Sequence, residues 1–248
     1  MAQIELRDAT IRLKDGTVGS AVVAANTTNN GSSVTINTVN MTRAVNAGVV
    51  PIGARFTVNT LNNTTTYVVM DRTPASNMNT PVNTPSINIS GVWGANFPLV
   101  NDVITFKSQQ IDIKIGEGNL TYTEHRDMKY TLDRQNLDTV REGDQKPVDV
   151  KTDFLYEFVT TGTNEDITPV DALKQMNGAA EWVSSSADQC EPFSVDVEVQ
   201  HVPPCISAED EFTLLPTFRY ETLEFNLKDA TISVTGKCNV VEASVTRV

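Results

Sequence analysis

Cysteine, histidine, aromatic rings and basic residues are all scarce in this chain, and each shortage narrows what it can be. Three cysteines are an odd number, which suits a reducing compartment better than a disulfide framework. At 248 residues the chain can bury a core without disulfides or a structural metal, as one large all-β unit or two smaller ones. Basic residues number 19 against 31 acids, for a net charge of −12. A phosphate-gripping surface is therefore not expected, because it needs lysine and arginine to displace counterions; repulsion of nucleic acid is compatible with the same balance. No apolar run reaches membrane-span length, and Met1 to Leu13 reads as a polar start followed by a strand instead of a basic-then-apolar leader. The expectation is a protein made and assembled in the cytosol, where the N-x-[ST] sequences at Asn26 and Asn63 carry no meaning. A nucleophile elbow and a phosphate-cradling loop are missing too; the GEG at Gly116 to Gly118 is too short and follows no βαβ pattern.

What the chain does have is two-residue periodicity. From Val148 to Phe158 the even positions are Val148, Val150, Thr152, Phe154, Tyr156 and Phe158, and all but one odd position is charged. That predicts a half-buried strand. Ile111, Ile113 and Ile115, with Asp112 and Lys114 between them, repeat the pattern. Between these strands, Asp133 to Lys146 is polar and reads as a long structureless loop, a feature that compact proteins keep for a purpose.

Charge and composition shift sharply along the chain. From Val18 to Ser108 the only charged residues are Arg43, Arg55, Arg72, Lys107, Asp71 and Asp102, so the segment is nearly neutral and crowded with Asn and Thr, while the acidic excess lies elsewhere. This predicts an inserted module at 18–108 within a core domain of 1–17 and 109–248. Inside the insert, SSVTINTV, ARFTVNTL, TTYVVMD, PSINIS and DVITFK are short strand-like runs punctuated by Asn, Gly and Pro, which suggests a small barrel or sandwich. Outside it, LRDATIRL (Leu6 to Leu13) echoes LKDATISV (Leu227 to Val234), so the two chain ends are candidates for equivalent strands of one sheet. One helix is expected, capped by Thr168, opened by Pro169, favoured by Asp171 and ended at Gly178. Three further strands are expected at Phe193 to His201, Arg219 to Leu227 and Ala230 to Cys238, the last two joined by a tight Lys228-Asp229 turn.

Two constellations invite chemistry. Cys190, His201, Cys205 and Cys238 have the residue types of a zinc site. If Phe193 to His201 is one strand, however, Cys190 and His201 stand roughly 30 Å or more apart at about 3.3 Å per residue. His201, Cys205 and Cys238 can still meet. The favoured reading is a buried, hydrogen-bonded histidine beside small apolar cysteines, ahead of a metal site and of a Cys205–Cys238 disulfide. Glu142 and Asp144, near Asp138 and Asp149, offer carboxylates for acid–base work, but nothing in the sequence separates their pKa values, and a solvated charged loop offers the same residues. His125, within EHRDMKY, reads as a surface residue. No cofactor and no catalysis are expected.

Taken in order, IKIGEGNLTYTE, NLDTVREGDQKP, VDVKTDFLYEFVT, TPVDALK and FRYETLEFNLKDATISVTGKCN resemble the tail tube (major tail) protein of long-tailed bacteriophages. The likeness covers Met1 to about Thr17 and Gln109 to Val248, while VPIGARFTV, TTYVVMDRT and DVITF in the insert look similar to small β-barrel modules of some tail proteins. The resemblance implies a mainly β fold: a β-sandwich that closes ring-wise into an inner barrel, with one packed helix, an architecture shared by the tube protein of type VI secretion systems, plus the inserted small β domain. It implies a structural virion subunit, not an enzyme, assembled in the host cytoplasm into stacked hexameric rings. In this resemblance DNA passes through the hollow tube without specific binding. The partners the resemblance implies are copies of the chain itself and other tail proteins such as a tape measure, a terminator and a tail tip or baseplate, with no membrane.

In this resemblance Asp133 to Lys146 corresponds to a long hairpin loop that reaches the neighbouring ring. Arg134, Asp138, Arg141, Glu142 and Asp144 are then candidates for inter-ring charge pairs, and Leu137 and Val140, the loop's large apolar residues, for the buried contact. Glu117, Asp149, Asp153 and Glu224 become candidate lumen-facing acids that repel DNA, or acids that keep the monomer soluble before assembly. An alternative class is a carbohydrate- or receptor-binding module in the insert, for which Tyr67, Trp93 and Phe97 are the available aromatics. An enzyme with an unrecognised acid pair ranks last.

Overall fold

The computed structural model describes residues 9–25, 27, 31–41, 50–61, 66–73, 86–89, 91–93, 97–115, 119–133, 136–160, 166–188, 190–202 and 210–248. It is mainly β. In chain order the strands are β1 (Ala9–Lys14), β2 (Gly19–Val23), β3 (Ser33–Met41), β4 (Arg55–Val58), β5 (Tyr67–Thr73), β6 (Ser86–Ile89), β7 (Val103–Lys107), β8 (Gln110–Ile113), β9 (Leu120–Thr123), β10 (Met128–Asp133), β11 (Asn136–Glu142), β12 (Val148–Leu155), β13 (Val159–Thr160), β14 (Asp166–Ile167), β15 (Val195–His201), β16 (Glu211–Asn226), β17 (Thr231–Cys238) and β18 (Ser244–Arg247). Eight of them form a sheet in the order β8-β1-β15-β16-β17-β12-β9, with β18 beside β16. Six close into a barrel, β2-β3-β6-β5-β4-β7. The echoing segments near the two chain ends, β1 and β17, do lie in one sheet. The chain divides into two compact units, one of Met1–Arg12, Ile113–Tyr156 and Asp196–Val248, the other of Leu13–Asp112 and Glu157–Val195.

In the first unit, parity decides what is buried. Val148, Val150, Thr152 and Phe154 of β12 face inward, and their register partners Cys238, Gly236, Val234 and Ile232 on β17 are buried with them. The strand stops at Leu155, earlier than its sequence period suggests: Tyr156 and Phe158 keep the even parity but are exposed. On the other side of β17, β16 carries a bulge between Tyr220 and Thr222. Gly236 lies opposite Tyr220, and a Cβ there would meet the Arg219 carbonyl oxygen at 2.1 Å. Only glycine lets the backbones approach that closely. β16 is also far longer than the expected Arg219 to Leu227, and it joins β17 through four residues, Leu227 to Ala230.

In the second unit the barrel encloses Val23, Ile36, Phe56, Ile104, Phe106 and Trp93, all nearly inaccessible. The expected strand runs of the 18–108 segment correspond to β3, β4, β5, β6 and β7; β2, a short GSAVV run, supplies the sixth wall. The helix α1 (Pro169–Lys174) starts as expected, with a capping box between Thr168 and Asp171 and proline in the first turn. It ends before Gly178, because Gln175 turns left-handed (φ 54°) and its N–H returns to the Asp171 carbonyl.

A buried acid ties the two ends of the barrel segment together. The Asp15 carboxylate accepts from the backbone N–H groups of Thr17, Gln109 and Val183, at 3.1, 2.7 and 3.2 Å, and from the Thr17 hydroxyl. Burial pushes its pKa up from 3.8 to about 6, with these four donors pulling the other way. A folded pKa above the unfolded one means the folded state holds the proton more tightly. The associated stability is therefore complete below about pH 3.8 and is lost as pH rises through 6, by about 3 kcal/mol in all. Asp15→Asn removes this titration. Urea denaturation at pH 4, 5, 6 and 7 should show the difference between wild type and variant changing across that window in the stated direction; a pH-independent difference would contradict it.

Candidate functional site

The most unusual surface lies where the sequence suggests a loop. The segment Asp133 to Lys146 is not structureless throughout: β10 and β11 form a two-stranded antiparallel hairpin, which among the described residues pairs with no other strand. It is joined to the end of the sheet where β9 finishes and β12 begins, with Thr123 paired to Asp149 there. At its base the Gly143 N–H donates to the Asp127 carbonyl, at 2.7 Å.

Directly opposed residues of an antiparallel pair share a face. The register Met128↔Glu142, Tyr130↔Val140 and Leu132↔Leu137 therefore collects the hairpin's large apolar residues on one side. That side is bare: Tyr130 is 59 %, Leu132 65 %, Leu137 70 % and Val140 55 % exposed. The other side carries Lys129 opposite Arg141 and Thr131 opposite Thr139, whose hydroxyls are bonded to each other. A bulge makes this segregation possible. Leu137 and Val140 are three apart, which in an unbroken strand points them to opposite faces, but Thr131 pairs with Thr139 while Leu132 pairs with Leu137, so the extra residue between them resets the parity. An isolated hairpin is marginal in water, and this one exposes its apolar side instead of burying it.

Of the inter-ring candidates, Leu137 and Val140 thus share the apolar face with Glu142, while Arg141 stands on the polar one. Asp144 lies 3.6 Å from Lys129 at the base. Arg134, and the side chain of Asp138, fall outside the described residues. Sequence reading missed Tyr130 and Leu132, although Met128, Tyr130 and Leu132 alternate with polar residues and so carried the signal of an amphipathic strand.

Three of the four candidate lumen acids, Asp149, Asp153 and Glu224, stand on one face of the large sheet. Asp153 opposes Ser233, which opposes Glu224, and Asp149 lies on the same side of β12 two pairs away. The β16 bulge puts Glu224 on this face, since it shifts the parity between Arg219 and Thr222. The face is mixed in sign: Lys151, Lys237 and Arg219 share it, and Glu221 pairs with Lys237 at 3.2 Å. Asp149 also bonds the Nε2 of His125 at 2.8 Å, and Asp153 accepts from the Ser233 hydroxyl. Glu117 lies outside the described residues.

Among the described residues the metal candidates do not form a donor set. Cys238 is fully buried, and burial, with Asp196 nearby, pushes its thiol up to about 12, so it stays protonated. His201 is buried as expected, and among the described residues its Nε2 has no hydrogen-bond partner. Cys190 is exposed, and Cys205 lies outside the described residues. Among the described residues no three His, Cys, Asp or Glu side chains group as for a metal. The aromatics available for a sugar platform are spent on packing: Trp93 is inaccessible, with Tyr67 4.6 Å away ring to ring, and Phe97 packs against the same cluster. No family model, curated protein or solved structure matches the chain.

Proposed function

We propose that this protein is a structural, self-assembling tube subunit of the phage tail-tube type. Its fold is read as the tail-tube β-sandwich, with the barrel carried as an added module. Copies join side by side into rings, hexameric in the resemblance, and the rings stack into a hollow conduit for DNA in a virion tail. The observation that carries this reading is the amphipathic hairpin. A two-stranded ribbon with a bare apolar side gains stability only when something covers that side, and a neighbouring copy supplies the cover in a stacked assembly. Among the described residues β8 and β9 stand at the ends of the sheet order, and such edges invite pairing between copies. The polar face with Asp149, Asp153 and Glu224 is assigned to the lumen, where carboxylates disfavour adhesion of the phosphate backbone.

Negative-stain electron microscopy of the purified full chain, with light scattering for mass, tests the proposal. Rings or hollow tubes are expected, with particle mass growing in whole multiples of a ring. A chain that stays a monodisperse monomer at high concentration, and also with preformed tail tips added, would overturn it.

A further inference from the structure

We propose that the hairpin's apolar side docks on the opposite end of the same sheet in a second copy, on a surface made by Tyr156, Phe225 and Leu227, with Glu142 of one copy meeting Lys228 of the other. This rests on the tube reading above and supplies the receiving surface that the reading leaves unspecified.

The two surfaces sit at opposite ends of one strand. The hairpin joins at the Val148 end of β12, while Tyr156 follows its last residue and bonds through its N–H to the Ala230 carbonyl, at the turn after β16. Eight residues of strand separate them by roughly 25 Å. Tyr156 and Phe225 form an edge-to-face pair with ring centroids 6.1 Å apart. Both rings are close to half exposed, and Leu227 is 82 % exposed. They continue the buried row of Phe154 and Ile232, so they form an open rim of the core, and paired aromatic rings are the usual anchors of a docking surface.

One chain thus exposes two apolar surfaces, one at each end of β12. A partner that covers one and offers the other is a second copy, a head-to-tail contact that can repeat from copy to copy. Charge agrees with this pairing. Glu142 is on the apolar side of the hairpin, opposite Met128, and Lys228 adjoins Leu227; neither has an ion partner among the described residues. Joining them sets the register of the docking more than its strength. The hairpin's apolar side presents four large side chains, Tyr130, Leu132, Leu137 and Val140, against about 20–30 residues on each side of a standard interface. A stable pair of proteins buries about 800 Å² on each partner, so a single docking is too small to hold a dimer, and many in parallel between two rings are required.

The test uses the full chain under conditions in which wild type grows tubes, read as pelletable mass and tube length. Glu142→Lys and Lys228→Glu should each cut pelletable tube at least tenfold, and the double reversal should restore it. Phe225→Ser keeps the hairpin but lacks the receiver, whereas Leu137→Ser with Val140→Ser keeps the receiver but lacks the hairpin. Alone, neither should stack; mixed, they should give stacks that stop after one junction. Circular dichroism and melting temperature confirm that each variant is folded. If wild type forms tubes and the hairpin variant does not, yet Phe225→Ser and both charge reversals grow normally, the receiving surface is wrong and the tube reading stands. If wild type forms no ring or tube at all, both fall.

Discussion

Tube growth is expected to stop when Leu137 and Val140 are both replaced by serine, while the subunit itself stays folded. Both side chains are more than half exposed in the monomer and touch no core, so their loss should change its stability by no more than about 0.5 kcal/mol. In a docked stack the same two side chains are buried. Burying a leucine or valine contributes about 1.5–3 kcal/mol each, so their loss weakens every inter-ring contact by a factor on the order of 10² or more. Because many such contacts act in parallel between rings, the deficit multiplies, and elongation should fail outright instead of slowing. Single rings should persist if edge pairing within a ring is independent of the hairpin. Electron microscopy of the purified variant, beside a thermal melt, gives the answer; tubes of normal length from a folded variant would remove the hairpin from the assembly mechanism.

The second large effect concerns the polar face of the sheet. Asp149→Asn, Asp153→Asn and Glu224→Gln together leave Lys151, Lys237 and Arg219 with Glu221 as the remaining acid among the charged residues placed there, so the face changes from mixed to net basic. If that face lines a DNA conduit, repulsion becomes attraction, and the ring symmetry repeats the change around the bore. DNA held by basic side chains shows a binding slope of about −0.9 in log salt for each phosphate neutralised. Particles built from the triple variant should therefore release DNA slowly at low salt and recover steeply as salt rises, whereas wild type should vary little. Release kinetics that match wild type across a salt series would place these acids away from the passage. The loss of the Asp149 bond to His125 and of the Ser233 bond to Asp153 touches exposed or half-exposed groups, so a modest drop in melting temperature is the expected side effect.

Local rules carried much of this fold into the sequence. The alternation of Val148, Val150, Thr152 and Phe154 with charged residues marked a half-buried strand, and the structure buries those four. The Asn- and Gly-punctuated runs between Val18 and Ser108 corresponded to five of the six barrel strands, and Thr168-Pro169 announced the helix start through its capping box. In each case the deciding interaction lies within a few residues, as a two-residue side-chain period or a side chain bonding a backbone group three positions on, so a linear string is enough to show it. The six-residue helix was harder to bound, because its end depends on Gln175 adopting a left-handed conformation that no local residue type demanded.

Pairing across the chain settled the rest. The polar segment after Asp133 became a strand because β10 was there to pair with it, and Leu137 came to the side of Val140 through a bulge that spacing alone argues against. Another bulge, in β16, brought Glu224 onto the face of Asp153, and the closing of the barrel put Trp93 in its interior. A one-residue slip in register exchanges the two faces of a strand, and which register wins is fixed by partners far away in the chain. Composition and periodicity therefore sufficed to make this chain an acidic, strand-built protein. Which side chains stand together on its exposed faces was set by non-local hydrogen-bond register, to which a two-residue period is blind.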